Sequence, residues 1–352
     1  MLSSQEKGRY SRHIKLEGFG LEKQEKLKKA KILVIGAGGL GATALQYLVA
    51  AGIGHITILD ADVVEESNLQ RQIIFNTGDI GLPKVLVAQK KLQELNPYVT
   101  IEALQERFNT DNAITLCETH DVIVDGSDNF QTRYLVNDAC VITNKPFVYA
   151  SVFKYEGQVA VFNYKNGATY RCLFPTPPSA GDVPSCGDIG VLGVLPGLLG
   201  CYQANEVIKI VTQTKSVLSG KLLSINTLSM IHHSFAIERS EGADIIQLLD
   251  NYEAFCGVDF STIKELEFDE IAFEEFQIID IRDGVSFKKK HLTKAVNFPY
   301  KEITTNIKQI SRAQKVLIYC QQGITSQQII QYLQSEHEFT NLYSLKNGMG
   351  SL

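Results

Sequence analysis

Lys31-Ile32-Leu33-Val34-Ile35-Gly36-Ala37-Gly38-Gly39-Leu40-Gly41 decides the fold of this chain, because it joins an unbroken apolar run to a glycine turn and then to a helical pattern. A run without polar alternation is the signature of a strand buried on both faces of a parallel sheet. Leu40 to Ala51 continues as the helix that leaves the turn. Glycines let the backbone approach a polyphosphate closely, and the amides at the helix start point toward the anion. Gly36, Gly38, Gly39 and Gly41 are therefore candidate nucleotide contacts. His55-Ile56-Thr57-Ile58-Leu59-Asp60 supplies the next strand, and Asp60 ends it at about the separation expected for a ribose-binding carboxylate. Turn and acid alone suit an NAD-dependent dehydrogenase equally well, and a structural turn followed by a strand-ending surface Asp is a further alternative.

Outward from this unit, the polar, Lys-rich stretch from Leu21 to Lys31 has only Leu21, Leu27 and Ala30 as an apolar face and predicts a surface helix. Lys84 to Leu95 has helical periodicity and is stopped by Asn96-Pro97. Val99 to Leu104 and Asp121 to Asp125 read as strands, with a helix over Asn112 to Cys117 between them. The order predicts an α/β fold, a Rossmann-like sheet with helices on both faces. After Pro146 comes a strand at Gln158 to Phe162, then a loop with Pro175, Pro177, Pro178 and Pro184, expected to be exposed. The loop leads through Cys186-Gly187-Asp188 into an apolar stretch, Ile189 to Cys201, read as a buried helix. A second pattern begins near Ile271, with strands at Phe276 to Arg282 and Lys315 to Cys320 and a helix over Ser326 to Leu333. It predicts a small α/β domain of about 80 residues. The expected organisation is residues 1–257 as one domain, 258–267 as a linker and 268–352 as the second.

At 352 residues, with 44% hydrophobic and 21% charged residues, the chain can supply a core to each domain. A net charge of −5 argues against duplex nucleic acid as a partner, because such binders concentrate positive charge. No apolar segment has the length of a membrane span, and the first residues lack a signal-peptide core, so a cytoplasmic protein is expected. The 7 cysteines show no close pairing of a disulfide framework, which leaves thiols free in a reducing compartment.

Asp60-Ala61-Asp62-Val63-Val64-Glu65-Glu66-Ser67-Asn68-Leu69-Gln70-Arg71-Gln72, then Gly81-Leu82-Pro83-Lys84 and Ser127-Asp128-Asn129, with Arg9-Tyr10-Ser11-Arg12 ahead of them, together resemble the ubiquitin-activating-like (HesA/MoeB/ThiF) adenylyltransferases over residues 5–257. The resemblance implies ATP-dependent adenylylation of the C-terminal glycine of a small ubiquitin-like sulfur-carrier protein that ends in Gly-Gly, ThiS- or MoaD-like. It also implies Asp60 on the ribose, Asn68, Arg71 and Gln72 near the nucleotide and phosphates, and Lys84 near the phosphates. Asp128 is implied at the Mg²⁺ that accompanies ATP, and Arg12 as a residue that reaches the nucleotide of the other subunit in a homodimer. Each side chain suits its role: the two cations offset triphosphate charge, and a carboxylate holds Mg²⁺ or its waters.

Many relatives hold a structural zinc with two CxxC pairs. The matching places here read Thr169-Tyr170-Arg171-Cys172 and Glu253-Ala254-Phe255-Cys256, so each pair lacks its first cysteine and no structural zinc is expected. Cys186 lies where some relatives form an acyl or persulfide link to the carrier. Cys320-Gln321-Gln322-Gly323-Ile324-Thr325-Ser326, with Asp280-Ile281-Arg282 and His291 to Pro299, resembles the rhodanese-like sulfurtransferases over residues 268–352. The resemblance implies that Cys320 carries a persulfide taken from a cysteine desulfurase or another persulfide donor. Gln321 and Gln322 stand where many active relatives have arginine, so a docking domain without sulfur transfer is the alternative. A noncatalytic carrier-binding scaffold is the other.

Overall fold

β1 (Lys31–Ile35) is flanked by β2 (His55–Leu59) on one side and β4 (Val122–Asp125) on the other, both parallel to it. The structure, a computed structural model, describes residues 1–178, 190–257, 263–321 and 323–351. β3 (Thr100–Leu104) extends the sheet beyond β2, and β5 (Phe147–Phe153) lies parallel to β4. β6 (Glu156–Phe162), β7 (Lys221–Asn226) and β8 (Ile231–Ala236) complete it as antiparallel strands. The order β3-β2-β1-β4-β5-β6-β7-β8 reverses direction at β1. In open α/β sheets that reversal leaves a crevice at the carboxyl ends of the strands, where ligands bind.

The buried faces match the apolar runs. Ile32, Leu33 and Val34 are completely buried, and the Gly39–Ala51 helix packs Ala42, Leu45, Leu48 and Val49 into the same core. The Gly20–Lys29 helix is less superficial than its composition predicts, because Leu27 is fully buried and Gln24 donates to the Ala51 carbonyl at 2.7 Å. The apolar stretch expected as a helix over Ile189 to Cys201 differs in extent. Its helix runs Val194–Val211, with Pro196 in the first turn, where a missing N–H costs little. Leu195 and Leu199 face the core while Val194 is exposed. Residues 179–189, and with them Cys186, lie outside the described residues.

The chain divides into two compact units, Met1–Tyr252 and Glu253–Leu352. The second holds a parallel sheet of β9 (Lys264–Leu266), β10 (Phe276–Asp280), β11 (Val296–Asn297), β12 (Lys315–Tyr319) and β13 (Leu342–Leu345). Their order is β11-β10-β12-β13-β9. Lys264–Leu266, expected within the 258–267 linker, is thus an edge strand paired with β13. Three residues of mixed polarity carry too little periodicity to announce a strand, and only the partner defines it.

Candidate nucleotide and sulfur sites

The glycine turn is built by close approach. A Cβ on Gly41 would stand 1.9 Å from the Gly36 carbonyl oxygen, and Gly36 itself has φ +90. Both positions exclude a side chain, so the Gly39–Ala51 helix can begin directly against the end of β1. Asp60 closes the turn from the neighbouring strand: its Oδ2 accepts the Ala37 N–H at 2.8 Å and its Oδ1 accepts the Asp62 N–H at 2.8 Å. Burial pushes the Asp60 carboxyl up, opposed by the Lys84 charge and these two amide donors.

The segment after β2 folds over the turn. Asn68 is buried and its Oδ1 accepts the Glu65 N–H at 3.2 Å. Arg71 donates to the Ser67 carbonyl at 3.1 Å, and its Cγ lies 3.4 Å from where a Cβ on Gly39 would stand. Gln72 lies in the same way beside Gly38, its Nε2 3.7 Å from such a Cβ, and its buried Oε1 has no partner among the described residues. A buried acceptor without a donor marks a place for a ligand or water donor. Lys84 is buried, and its ammonium pairs with the exposed Asp62 carboxylate at 3.0 Å. Backbone bonds from Val64 N to Leu82 O and from Lys84 N to Asp62 O hold the two stretches together. Asp62 escaped the sequence reading; the signal was present in its place two residues beyond the strand-ending Asp60.

Across the strand reversal, Asp128 follows β4 as an exposed carboxylate. Beneath it, the fully buried Asp125 accepts from Ser127 N at 3.0 Å and Ser127 Oγ at 2.6 Å, and its Oδ2 has no partner among the described residues. Burial pushes the Asp125 carboxyl up, while Arg133 and Ser127 oppose this. Arg133 donates to the Ser127 carbonyl at 3.3 Å, so it braces the loop that carries Asp128. Sequence reading missed Arg133, whose only sign was its position one helical turn after Asn129. An exposed carboxylate of this kind suits Mg²⁺, which keeps most of its waters and takes one or two protein carboxylates.

Arg12 is not brought to this set within the chain. It is exposed on the Ser11–Ile14 helix, and among the described residues it makes no hydrogen bond or ion pair with the glycine turn. Its neighbour Tyr10 anchors the segment, buried beside Gly52 and accepting from Asn96 Nδ2 at 2.9 Å.

The residues at the zinc position do not fit a metal. Among the described residues no group of three or more His, Cys, Asp or Glu side chains is placed to hold one. Cys172 Sγ instead accepts from Thr169 N at 3.3 Å and Ser240 N at 3.4 Å. Burial would raise this thiol, but the Ser240 and Thr169 hydrogen bonds prevail and hold it below its ordinary value. Beside it Asp138, almost completely buried, accepts from Arg171 Nε at 2.7 Å and NH2 at 2.8 Å, from Tyr252 OH at 2.7 Å and from Asn137 Nδ2 at 2.9 Å.

In the second unit Cys320 directly follows β12 and is buried at the start of the loop before the Ile324–His337 helix. Gly323 N–H donates to its sulfur at 3.1 Å. Met349 N and Gly350 N donate to the carbonyls of Cys320 and Gln321 at 3.0 and 2.7 Å. A Cβ on Gly348 would stand 2.5 Å from the Cys320 carbonyl oxygen, so the chain can pass this close to the cysteine only as glycine. Arg282 is gripped by the buried Asp280, Nε to Oδ1 at 3.0 Å and NH2 to Oδ2 at 2.7 Å, and also donates to Gln321 Oε1 at 3.1 Å. A cation therefore reaches the loop from β10, although its charge is largely matched by Asp280. Gln322 lies outside the described residues.

Residues 10–244 match the ThiF family and residues 265–351 match the rhodanese-like domain. A sulfur carrier protein adenylyltransferase of Thermus thermophilus is 45% identical, covering 73% of this chain and 98% of that protein. The adenylyltransferase and sulfurtransferase MOCS3 of Anopheles gambiae is 38% identical over 100% of this chain and 87% of its own length. A probable adenylyltransferase/sulfurtransferase MoeZ of Mycobacterium tuberculosis, also 38% identical, covers 92% of this chain and 87% of itself. The crystal structure of E. coli MccB with ATP shares the fold, with a TM-score of 0.59 and 24% identity over 69% of this chain and 75% of that chain. The glycine turn with its two cations, the Cys320 loop and these matches lead to one conclusion: the chain belongs to the ThiF family and carries a rhodanese-like domain after the ThiF region.

Proposed function

We propose that residues 1–257 adenylylate the C-terminal glycine carboxylate of a small ubiquitin-like sulfur carrier, and that residues 268–352 supply sulfur through Cys320. The observation that carries this reading is Arg71 beside Gly39, with the Lys84 charge acting on Asp60, the acid that closes the glycine turn, and Asp128 following β4 at the strand reversal. A dinucleotide needs the turn and Asp60; two cations beside a Mg²⁺-type carboxylate answer the charge of a triphosphate. The names of the Thermus thermophilus and Anopheles gambiae relatives support the same activity.

In the reaction a carboxylate oxygen of the carrier attacks the α-phosphorus of ATP. The bond from that phosphorus to the bridging oxygen of the β-phosphate breaks, and pyrophosphate leaves with the electron pair. The nucleophile is already an anion, so the chain's task is alignment and charge compensation rather than proton removal. Arg71 and Lys84 lower the repulsion between carboxylate and triphosphate, Asn68 and Gln72 orient the nucleotide, and Asp60 fixes its ribose. Asp128 would hold Mg²⁺, which when bound supplies further charge neutralisation on the phosphates. Arg12, exposed on its anchored helix, serves the second subunit of a homodimer. Cys320 thiolate attacks the outer sulfur of a donor persulfide, such as that of a cysteine desulfurase; a new S–S bond forms, the donor S–S bond breaks, and the donor leaves as thiolate. Cys186 forms an acyl or persulfide link with the carrier, testable by mass spectrometry of its peptide. The absence of a disulfide framework supports a cytoplasmic setting, and among the described residues no helix is long and apolar enough to cross a membrane.

Carrier-dependent exchange between ATP and pyrophosphate tests the adenylylation. Arg71→Ala and Asp128→Asn should reduce exchange at least about a hundredfold while carrier binding survives. Unchanged exchange in both variants would remove the proposed site. A second reading, in which the rhodanese-like domain only recruits partners, is favoured by the neutral Gln321 and the pairing of Arg282 with Asp280. Capture of persulfide on Cys320 separates the two.

A further inference from the structure

Two serines lie fully buried beneath Cys320, and the proposed sulfur loading leaves them without a role. Ser326 is in the first turn of the Ile324–His337 helix, and its Oγ is 3.6 Å from the Cys320 sulfur and 2.9 Å from Ser344 Oγ on β13. Ser326 donates its one hydroxyl proton to the Gly323 carbonyl at 2.8 Å. It therefore accepts from both other neighbours, the Ser344 hydroxyl and the thiol S–H. That arrangement satisfies a neutral thiol.

An anionic sulfur has no proton to give, and its neighbours must then donate to it. Ser326 can do so by turning its O–H from the Gly323 carbonyl to the sulfur, over a distance already suited to an O–H···S contact. The released carbonyl is not orphaned, because it also accepts the Gln327 N–H at 3.4 Å. Ser344 keeps donating to Ser326 throughout and polarises its hydroxyl toward the sulfur. The Gly323 N–H supplies the second donor. A buried hydroxyl that can turn without leaving a partner unpaired stabilises a charge more than the same group exposed to solvent.

We propose that Ser326 and Ser344 form a switchable donor pair for the Cys320 sulfur. Ser326 touches the reacting atom and stabilises it as thiolate when it attacks the donor persulfide, and Ser344 is a positioning residue that acts through Ser326. The pair rests on the reading of Cys320 as the sulfur acceptor, and the test separates the two.

The experiment uses the full chain, with the Cys320 peptide read by mass spectrometry. Iodoacetamide reports the reactivity of the sulfur, and glutathione persulfide serves as the sulfur source. Ser326→Ala should slow alkylation of Cys320 at neutral pH about tenfold, and Ser344→Ala about threefold. Ser326→Thr, which keeps the hydroxyl, should stay within about twofold of the unaltered chain. The differences should shrink at alkaline pH, whereas a purely structural defect would persist there. Alkylation at the unaltered rate in folded Ser326→Ala and Ser344→Ala chains would overturn the proposal, as would a slowing that Ser326→Thr shares in full. Should Ser326→Ala fail to fold, Ser326→Thr and Ser344→Ala decide by the same criteria. If the unaltered chain takes no sulfur from the persulfide while its alkylation still depends on the two serines, the donor pair stands and the function of Cys320 falls.

Discussion

Gly41→Ala tests the architecture of the nucleotide turn most directly. The added Cβ would lie 1.9 Å from the Gly36 carbonyl oxygen, and real Cβ atoms essentially never approach closer than 3.0 Å, so a displacement of about 1.1 Å is required. Neither side can yield cheaply. Gly36 is pinned at φ +90 against the Gly126 backbone, and the Gly39–Ala51 helix is locked by buried Leu45, Leu48 and Val49. Overpacking of this kind costs about 3 kcal/mol. For a unit of this size that corresponds to a fall in the thermal midpoint of about 6–12 °C, read by calorimetry as the transition of the first unit. ATP affinity, read by titration calorimetry at a temperature where the variant is folded, should fall with it, because the displaced turn no longer presents its amides to the phosphates. Gly8→Ala is the control: its Cβ meets nothing within 4 Å, and its helix should be unchanged or slightly firmer. A Gly41→Ala chain with the midpoint and ATP affinity of the unaltered protein would refute the packing argument.

Asp138→Asn should destabilise the first unit by about 3 kcal/mol, because it leaves the Arg171 guanidinium half-buried without its carboxylate; thermal unfolding measures it. Prolonged treatment with a chelator should leave the unfolding midpoint of the unaltered chain where it was, and elemental analysis should find no stoichiometric zinc. His120 is buried between the Thr57 hydroxyl and the Leu116 carbonyl, and burial pushes its imidazole below the usual value. The unfolded chain then binds the extra proton first, so this contribution is intact above the ordinary histidine value of 6.5 and is lost as pH falls from there through the depressed folded value. Urea denaturation of His120→Gln at pH 7.5 and 5.5 should show a smaller pH dependence than the unaltered chain; an equal slope would refute the assignment. Cys320→Ala should abolish persulfide formation at that peptide after exposure to glutathione persulfide, as mass spectrometry reads it.

Much of the first sheet was legible because burial on both faces writes itself as uninterrupted apolar runs, as in Ile32 to Ile35 and Val122 to Val124. The strands beyond β4 were harder. Phe147–Phe153 runs directly into Glu156–Phe162 through a tight turn, and only Gln158 to Phe162 of this pair read as a strand; β8 is exposed along its whole length and has no burial signal. Gly36, Gly41 and Asp60 could be proposed as one group from spacing alone, since a turn, a helix start and a neighbouring strand end are local features.

Local chemistry was thus within reach of the sequence: a glycine turn, a strand-ending acid, loop cations and a cysteine at the end of a strand each follow from the residues beside them. Pairings between distant residues were decided only by tertiary structure. Asp62 holding Lys84, Gln24 reaching the Ala51 carbonyl, and Ser344 reaching Ser326 beneath Cys320 each join positions on different elements. The physical reason is that backbone propensity and apolar periodicity act over a few residues, whereas the partner of a buried polar group is chosen by whichever side chain the packed sheet delivers to it.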